Sequence, residues 1–318
     1  MALLAESKSL LREFKLAWVN LLNLTPIQRQ KNWNAVTQNQ KQIIQSVQQG
    51  EQVLLKPVPP IGCGGKVDHY YHFIADLVLP LQHLCDRAPN IELAIEAEEV
   101  GLFAERLSQL FPQNIQILDT DSNVDRSSLN AIELIGMNPK CVSTTTEVLE
   151  RFKAYVCSKL EVDLSGQPNK LLLIERLPPD NYFFSQTQIK GSGASRRSIV
   201  NHADLRALIE PMVQEPLELC NVRLEKMSFE EQIYSFDKAA VVIAQHGAGL
   251  INGFWMRPET VVIELNYDGL NNHFRTISGL KKQHYFWYKT NSHHATVDIK
   301  DFKEWLLSHS LLRQYFKS

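Results

Sequence analysis

Residues 240–252 read Ala-Val-Val-Ile-Ala-Gln-His-Gly-Ala-Gly-Leu-Ile-Asn, an apolar run that leads into a glycine-rich turn. Such a run is typical of a strand that is buried on both faces of a parallel sheet. Similar runs stand at 171–174 and 261–265. Helix-start signals lie between them, as a capping box at Ser228 with Glu231 and a looser version at Asn201 with Asp204. We therefore expect an α/β domain in the C-terminal half.

The N-terminal half shows the same alternation. Strand-like runs lie at 53–55, 91–95 and 115–118, and helical patterns lie at 69–84 and 100–110. Pro80 predicts a kink in the first of these helices. A chain of 318 residues suits two cores, because a single core stops growing at roughly 250–300 residues. The predicted parts are a helical N-terminal extension over residues 1–52, an α/β domain over residues 53–165 and a second α/β domain over residues 166–318.

The composition excludes several classes of protein. Lys plus Arg (33) nearly balances Asp plus Glu (35), so we expect no nucleic-acid partner, which would call for a basic stripe. No apolar run reaches the roughly 20 residues of a membrane helix, and charges interrupt any signal-peptide core, so a cytoplasmic protein is expected. The amphipathic segment 2–24 leaves peripheral contact with a membrane open. Five cysteines without metal-binding spacing favour reduced thiols.

The turn after residue 245 has the chemistry of an anion site. Glycine lets a backbone approach a ligand closely, and a helix that starts there would offer free N–H groups and a partial positive charge of about half an elementary unit. We therefore predict that His246, Gly247, Ala248, Gly249 and Asn252 bind a pyrophosphate. By spacing alone, the glycines could instead serve a tight turn, and the histidine could cap a helix.

Further charged residues should reach the same crevice. Ligands of open α/β sheets bind at the carboxyl ends of the strands, where Arg176, His246 and Glu264 are expected. Arg196 and Arg197 follow a loop rich in glycine and serine, and guanidinium groups suit bidentate contact with phosphate oxygens. A solvated basic pair is the alternative for these two arginines. Glu264 could accept a hydrogen bond from a ribose hydroxyl.

The C-terminal segments resemble the signature of glycosyltransferase family 61. They are 228–232 (Ser-Phe-Glu-Glu-Gln), 240–252 and 256–265 (Met-Arg-Pro-Glu-Thr-Val-Val-Ile-Glu-Leu). That family includes plant xylosyl- and arabinosyltransferases, animal O-linked N-acetylglucosaminyltransferases and many bacterial members.

Two further segments extend the resemblance over roughly residues 57–305. Residues 69–77 (His-Tyr-Tyr-His-Phe-Ile-Ala-Asp-Leu) are similar to the family's Asn-Tyr-Tyr-His-Trp-x-x-Asp segment, and Arg176 with the paired arginines and Asn201 resembles a second block. The chain departs from the family pattern at His69, where Asn is common, and at His202, where an acidic residue often follows the Asn.

The resemblance implies a GT-B architecture, with two Rossmann-like domains facing across a cleft. It also implies inverting transfer of a sugar from a nucleotide-diphosphate donor, UDP-linked by analogy, to a hydroxyl of a glycan or glycolipid acceptor. Fixed Arg, His and N–H groups can stabilise the leaving diphosphate without a metal, so no cofactor is expected. By analogy the enzyme would serve polysaccharide biosynthesis, and homo-oligomerisation stays open.

The resemblance places the general base in the N-terminal domain. His72 and Asp76 are four residues apart and would share one face of the predicted helix, with the aspartate orienting the histidine. Asp68 is a third candidate for the base. The alternative is that His72 and Asp76 form a buried pair that only holds the helix in place.

The sequence leaves two alternative hypotheses for the function. Asp119-Thr120-Asp121 matches the Asp-x-Asp pattern with which metal-dependent GT-A transferases hold a divalent cation. Asp also favours turns, and the C-terminal signature has no place in a GT-A chain, so a turn is the preferred interpretation. The second reading is a non-catalytic protein that binds a nucleotide sugar or a glycan.

Overall fold

The computed structural model describes residues 24–60, 66–177, 193–267 and 273–317. The chain divides into two compact units, Met1–Val148 with Leu270–His273, and Leu149–Gly269 with Phe274–Ser318. Each unit is built on a parallel sheet, which confirms the predicted α/β class. The division falls inside the helix Thr146–Lys159, which the sequence placed wholly in the N-terminal domain. The predicted domain bounds stay a prediction.

The first unit contains a four-stranded parallel sheet in the order β3-β2-β1-β4. Its strands are β1 (Val53–Val58), β2 (Leu93–Glu96), β3 (Ile115–Leu118) and β4 (Asn130–Ile135). Its helices are α1 (Pro26–Gln48), α2 (Tyr70–His72), α3 (Leu79–Arg87), α4 (Ala97–Val100) and α5 (Ala104–Leu110), with a π-helical segment Phe73–Val78 and 3₁₀ turns Gly101–Phe103 and Arg126–Ser128. The order 3-2-1-4 is the one with which a Rossmann sheet begins.

The predicted N-terminal extension contributes a helix that belongs to the first unit. The side chain of Asn39 on α1 donates to Glu133 C=O at 2.7 Å and accepts from Ile135 N–H at 3.1 Å, which ties the helix to β4. Residues 1–23, and with them nearly all of the amphipathic segment, lie outside the described residues. Within the described ranges, no helix is long and apolar enough to span a bilayer.

The second unit contains a five-stranded parallel sheet in the order β10-β9-β8-β5-β7. Its strands are β5 (Lys170–Ile174), β7 (Glu218–Val222), β8 (Ala239–Gln245), β9 (Val261–Asn266) and β10 (His284–Lys289), and β6 (Ser198–Ile199) pairs separately with β11 (His294–Ala295). Its helices are α6 (Thr146–Lys159), α7 (Gly193–Arg196), α8 (His202–Met212), α9 (Phe229–Asp237), α10 (His273–Leu280) and α11 (Ile299–Ser308), with 3₁₀ segments Leu224–Lys226, Ala248–Phe254 and Leu312–Gln314. The first residues of α6, up to Val148, and the first residue of α10, His273, belong to the first unit.

The strand order of the second unit creates one switch point. Strand β5 lies between β7 and β8, so the chain builds first to one side of β5 and then to the other. This is the flavodoxin-like order 2-1-3-4-5, in which ligands bind outside the carboxyl ends of the first and third strands. Ile174 on β5 pairs with Ala244 on β8, so Arg176 and His246 each follow the paired residue by two positions.

The predicted burial of two strands and the predicted starts of two helices can be compared with the structure. Every residue of β8 and β9 is buried, as their apolar runs predict. The capping box of Ser228 and Glu231 starts α9, and both of its hydrogen bonds are present. The looser box at Asn201 does not form, because the Asn201 side chain bonds to the backbone of Val297 instead of capping α8.

The cysteines differ from expectation at one position. Cys85, Cys157 and Cys220 are not disulfide-bonded. Cys141 is disulfide-bonded, so the expectation of reduced thiols is wrong for this residue. Cys63 lies outside the described residues.

Candidate active site

His246 is held at the end of β8 by its neighbours on β9. Its N–H donates to Leu265 C=O at 2.9 Å, and its Nδ1 lies 2.5 Å from Glu264 Oε1. A carboxylate at Nδ1 fixes the tautomer and orientation of an imidazole and leaves Nε2 for other partners. The structure therefore gives His246 a fixed ring rather than a freely rotating one.

Glu264 holds the imidazole of His246 in place through its contact with Nδ1. The carboxylate is fully buried and also accepts hydrogen bonds from Tyr285 Oη at 2.7 Å and Asn266 Nδ2 at 2.9 Å. Burial and the neighbouring carboxylate raise the pKa of Tyr285, which keeps the phenol protonated as a donor. Both oxygens of Glu264 are thus bonded to protein groups, and the contact with a ribose stays a prediction.

Arg176 packs on the turn that follows His246. Its Nη1 donates to the carbonyl oxygen of His246 at 2.9 Å. A Cβ at Gly247 would lie only 2.5 Å from the same Nη1, so glycine is required for this close approach. The structure therefore brings three of the predicted donor-binding residues together.

The paired arginines reinforce this positive charge. Arg196 ends α7 and is exposed, whereas Arg197 is partly buried. Burial, followed by repulsion from Arg197 and Arg196 that Glu225 partly offsets, lowers the pKa of Arg176 to about 10. Three guanidinium groups thus act on one region, and a bound anion would relieve their mutual repulsion.

The sequence predicted a helix after the turn, and the structure has a 3₁₀ helix there, Ala248–Phe254. Its first hydrogen bond runs from Leu250 N–H to Gly247 C=O, so the amides of 247–249 precede the hydrogen-bonded ladder. A Cβ at Gly249 would lie 2.5 Å from Leu224 Cδ1, which ties this glycine to packing. An anion at this turn would be bound by individual N–H groups and guanidinium groups rather than by the dipole of an α-helix.

Asn252 lies inside the domain. Its Nδ2 donates to Gln232 Oε1 on α9, and its Oδ1 accepts from Trp255 Nε1, each at 2.9 Å. The side chain is fully buried, so it anchors the 3₁₀ segment to α9. The donor contact of Asn252 stays a prediction.

A pocket opens at the switch point of the second sheet. Its volume is about 260 Å³, and it lies between the ends of β5 and β8, the strand β6 and the start of α8. The lining residues are Ile174, Glu175, Arg176, Ser198, Ile199, Val200, His202, Ala203 and Gln245. Sequence reasoning found Arg176 but missed Gln245 and His202 as site residues. The position of Gln245 between the apolar run and the turn was the available signal.

The first unit brings His72 and Asp76 into contact. His72 Nδ1 lies 2.7 Å from Asp76 Oδ2, and the Asn138 N–H donates to Asp76 Oδ1 at 3.1 Å. Burial raises the pKa of Asp76, although the bonds from His72 and Asn138 oppose that rise. The His72 side chain remains 17% exposed, whereas that of Asp76 is 1% exposed. A partly exposed imidazole oriented by a buried carboxylate can act as a general base.

The helix that carries this pair is irregular. Residues Phe73–Val78 are π-helical, and Leu79 N–H bonds to Ile74 C=O five residues earlier. Pro80 has no N–H to continue the ladder, and its ring crowds the carbonyl of residue 76, which suits a widened turn at this point. The predicted kink is thus a π-helical turn just before the proline.

The loop after β4 completes the surroundings of Asp76. A Cβ at Gly136 would overlap Asp76 Oδ1, so glycine allows this backbone to reach the carboxylate. Tyr71 Oη donates to Asn138 Oδ1 at 2.9 Å and lies 3.1 Å from His273 Nδ1. No sequence pattern marked Gly136 or Asn138.

Asp68 is buried, and its Oδ1 lies 3.2 Å from His69 Nδ1. It is thus paired with His69, while His72 and Asp76 pair with each other. Asp119 accepts from Asp121 N–H at 3.1 Å and from Ser122 Oγ at 2.7 Å, as expected of a turn. In the part of the chain that the structure describes, no group of three or more His, Cys, Asp or Glu side chains could hold a metal ion.

The structure is that of an open α/β protein with arginine side chains and a pocket at a switch point of its second sheet. A family model described as Glycosyltransferase 61 matches residues 70–263, which span both the His72–Asp76 pair and the Arg176–His246 contact. The chain belongs to glycosyltransferase family 61, as the resemblance in sequence predicted, and it is a glycosyltransferase. No curated protein matches the chain.

Proposed function

We propose that this glycosyltransferase moves a sugar from a nucleotide-diphosphate donor, UDP-linked, to a hydroxyl of a glycan or glycolipid, with inversion at the anomeric carbon. The observation that carries the proposal is the contact between Arg176 and the His246 carbonyl beside Gly247. It supports a diphosphate site at the switch point, because a guanidinium group fixed beside the glycine-rich turn 247–249 suits phosphate oxygens.

The chemistry follows from these groups. The acceptor oxygen bonds to the anomeric carbon while the bond from that carbon to the diphosphate breaks, and the acceptor proton passes to a base. Arg176, assisted by Arg197 and the amides of 247–249, stabilises the charge that develops on the leaving diphosphate. No metal is needed in this scheme, which we include in the proposal.

His72 is the base that we propose, with Asp76 as the residue that positions it. The 2.7 Å contact fixes Nδ1 against the carboxylate, so Nε2 would receive the proton from the acceptor hydroxyl. A GT-B arrangement of the two units, as the resemblance implies, belongs to the same proposal.

The cellular setting is proposed by analogy alone. By analogy, the proposal includes a cytoplasmic enzyme of polysaccharide biosynthesis that contacts the membrane peripherally and forms homo-oligomers. The disulfide at Cys141 favours an oxidising compartment over a cytoplasmic location, because disulfides are rare in reducing compartments. Thiol labelling of the protein as isolated from cells would test the location.

Calorimetric titration of UDP in the presence of EDTA tests the proposed function. Arg176→Ala should weaken UDP binding by about tenfold or more, because a charge-assisted contact is lost. Arg313→Ala, at an exposed position of the same unit, is the matched control and should leave affinity unchanged. Equal UDP affinity in the Arg176 variant and the wild type would contradict the proposal.

A further inference from the structure

Gln245, the last residue of β8, uses only one end of its side-chain amide within the protein. Its Nε2 donates to the carbonyl oxygens of His293 at 2.9 Å and Ser198 at 3.2 Å. Only an NH₂ group can satisfy two carbonyl acceptors, so the orientation of the amide is fixed. Oε1 must therefore face the other way.

This oxygen is an unsatisfied acceptor. Gln245 is only 6% exposed, and its Oε1 has no hydrogen-bond partner among the described residues. Burying an acceptor without a partner costs free energy, because the bond to water is lost and not replaced. Gln245 lines the switch-point pocket, so a ligand in that pocket can supply the missing donor.

A second wall of the pocket offers donors. Helix α8 begins there with His202 and Ala203, and its N-cap Asn201 makes no side-chain bond to the helix. The first N–H groups of an α-helix have no partner within the helix and carry a partial positive charge. His202 Nε2 is also buried without a partner in the described part of the chain. The pocket is thus lined by buried polar groups that have no partner within the described part of the chain and could bond to a ligand.

The pocket lies beside the proposed diphosphate site, and Arg176 borders both. Successive side chains of a strand point to opposite faces of a sheet, so Gln245 faces β6 and α8 while His246 faces Glu264. A ligand that extends from the turn over the strand end would place its remote group against Gln245. In a nucleotide diphosphate, that remote group is the nucleobase.

We propose that Gln245 selects the nucleobase of the donor, its Oε1 accepting the imide N3–H of uracil. This inference rests on the proposed function, since it assumes that the diphosphate binds at the Arg176 turn. Uracil presents an N–H donor flanked by two carbonyl acceptors, and the first amides of α8 can donate to one of these. Cytosine and adenine present a ring nitrogen acceptor in place of that N–H, which would face Oε1 unfavourably.

Calorimetry on the full chain with UDP, CDP, ADP, N3-methyl-UDP and inorganic pyrophosphate tests the inference. The wild type should prefer UDP over CDP, ADP and N3-methyl-UDP by about tenfold or more, because a site with an unpaired buried acceptor rejects ligands that lack a ring N–H donor. Gln245→Leu should lose the preference for UDP over CDP and keep its pyrophosphate affinity within about twofold. Gln314→Leu, at an exposed position of the same unit, should keep the wild-type preference.

Other results separate the two proposals. Pyrophosphate and UDP binding without preference among the nucleotides would overturn the role of Gln245 and leave the diphosphate site standing. Retained UDP preference in Gln245→Leu, or equal binding of UDP and ADP, would also overturn that role. Binding of neither UDP nor pyrophosphate would overturn both proposals. Should the leucine variant unfold, as a thermal melt would reveal, the wild-type comparison of UDP with N3-methyl-UDP decides.

Discussion

Arg176 Nη1 donates to the carbonyl oxygen of His246 at 2.9 Å, in the space that a side chain at residue 247 would occupy. The two residues follow neighbouring strands by the same number of positions, so the sheet register places them together. A guanidinium group is thereby fixed at the one switch point of the five-stranded sheet.

Gly247→Ala should disturb the guanidinium without unfolding the domain. The added methyl would lie 2.5 Å from Arg176 Nη1 and would displace it, so we expect sugar transfer to fall about 100-fold through lost stabilisation of the leaving group. The measurement is donor turnover, together with a thermal melt. Gly279→Ala is the control, because a Cβ there meets nothing within 4 Å. Equal loss in both variants would contradict a specific role for the turn.

Asp76→Asn should reduce turnover by about 100-fold or more and leave UDP affinity unchanged, because the base His72 loses its orienting carboxylate. Steady-state kinetics with separate kcat and KM, and a pH profile of kcat, measure the effect. Asp86→Asn, on the exposed part of α3, is the control. If Asp76→Asn only lowered the melting temperature and kept wild-type kcat, the pair would merely hold the helix in place.

Asp119→Asn and Asp121→Asn should leave turnover within about twofold of wild type, because Asp119 is engaged in a solvent-exposed turn. Turnover should also persist in EDTA. Donor turnover with EDTA and with added Mn²⁺ is the measurement. A requirement for Mn²⁺ that disappears in these variants would support the GT-A reading instead.

Asp237 should govern the acid stability of the second unit. It is buried and accepts from Lys153 and Arg257 at 2.7 Å and from Lys238 at 2.9 Å. Burial alone would raise the pKa of Asp237, but the bonds from Arg257, Lys153 and Lys238 lower it from 3.8 to about 2. Because the folded pKa is the lower one, the stability is present above about pH 4 and is lost as the pH falls towards 2.

Asp237→Asn is the variant that tests this cluster. It should lower the free energy of unfolding at pH 7 by about 3–5 kcal/mol, since buried cations lose their counter-charge. Its stability should also change less than that of the wild type between pH 4 and pH 2. Urea titrations at several pH values measure both effects, with Asp121→Asn as an exposed control. A pH dependence identical to the wild type would exclude Asp237 as the group responsible.

The sequence predicted features that depend on neighbours along the chain. Buried strands β8 and β9 followed from their apolar runs, and the contact of His72 with Asp76 followed from a spacing of four residues. The approach of Arg176 to His246 followed from one general rule, that ligand-binding residues gather at the carboxyl ends of parallel strands.

Features set by distant contacts could not be predicted. Gln245 is oriented by carbonyl groups at Ser198 and His293, about 50 positions away on either side, and nothing near it in sequence reports them. Gly136 matters because Asp76 packs on it. Glu264 accepts a hydrogen bond from Tyr285 on the next strand, and nothing near Glu264 in sequence reports that partner.

A crystal structure of the protein with UDP bound would locate the diphosphate. Its oxygens should lie about 3 Å from the guanidinium of Arg176 and from the amides of residues 247–249. A diphosphate bound elsewhere on the chain, with no contact to this turn, would rule out the proposed donor site.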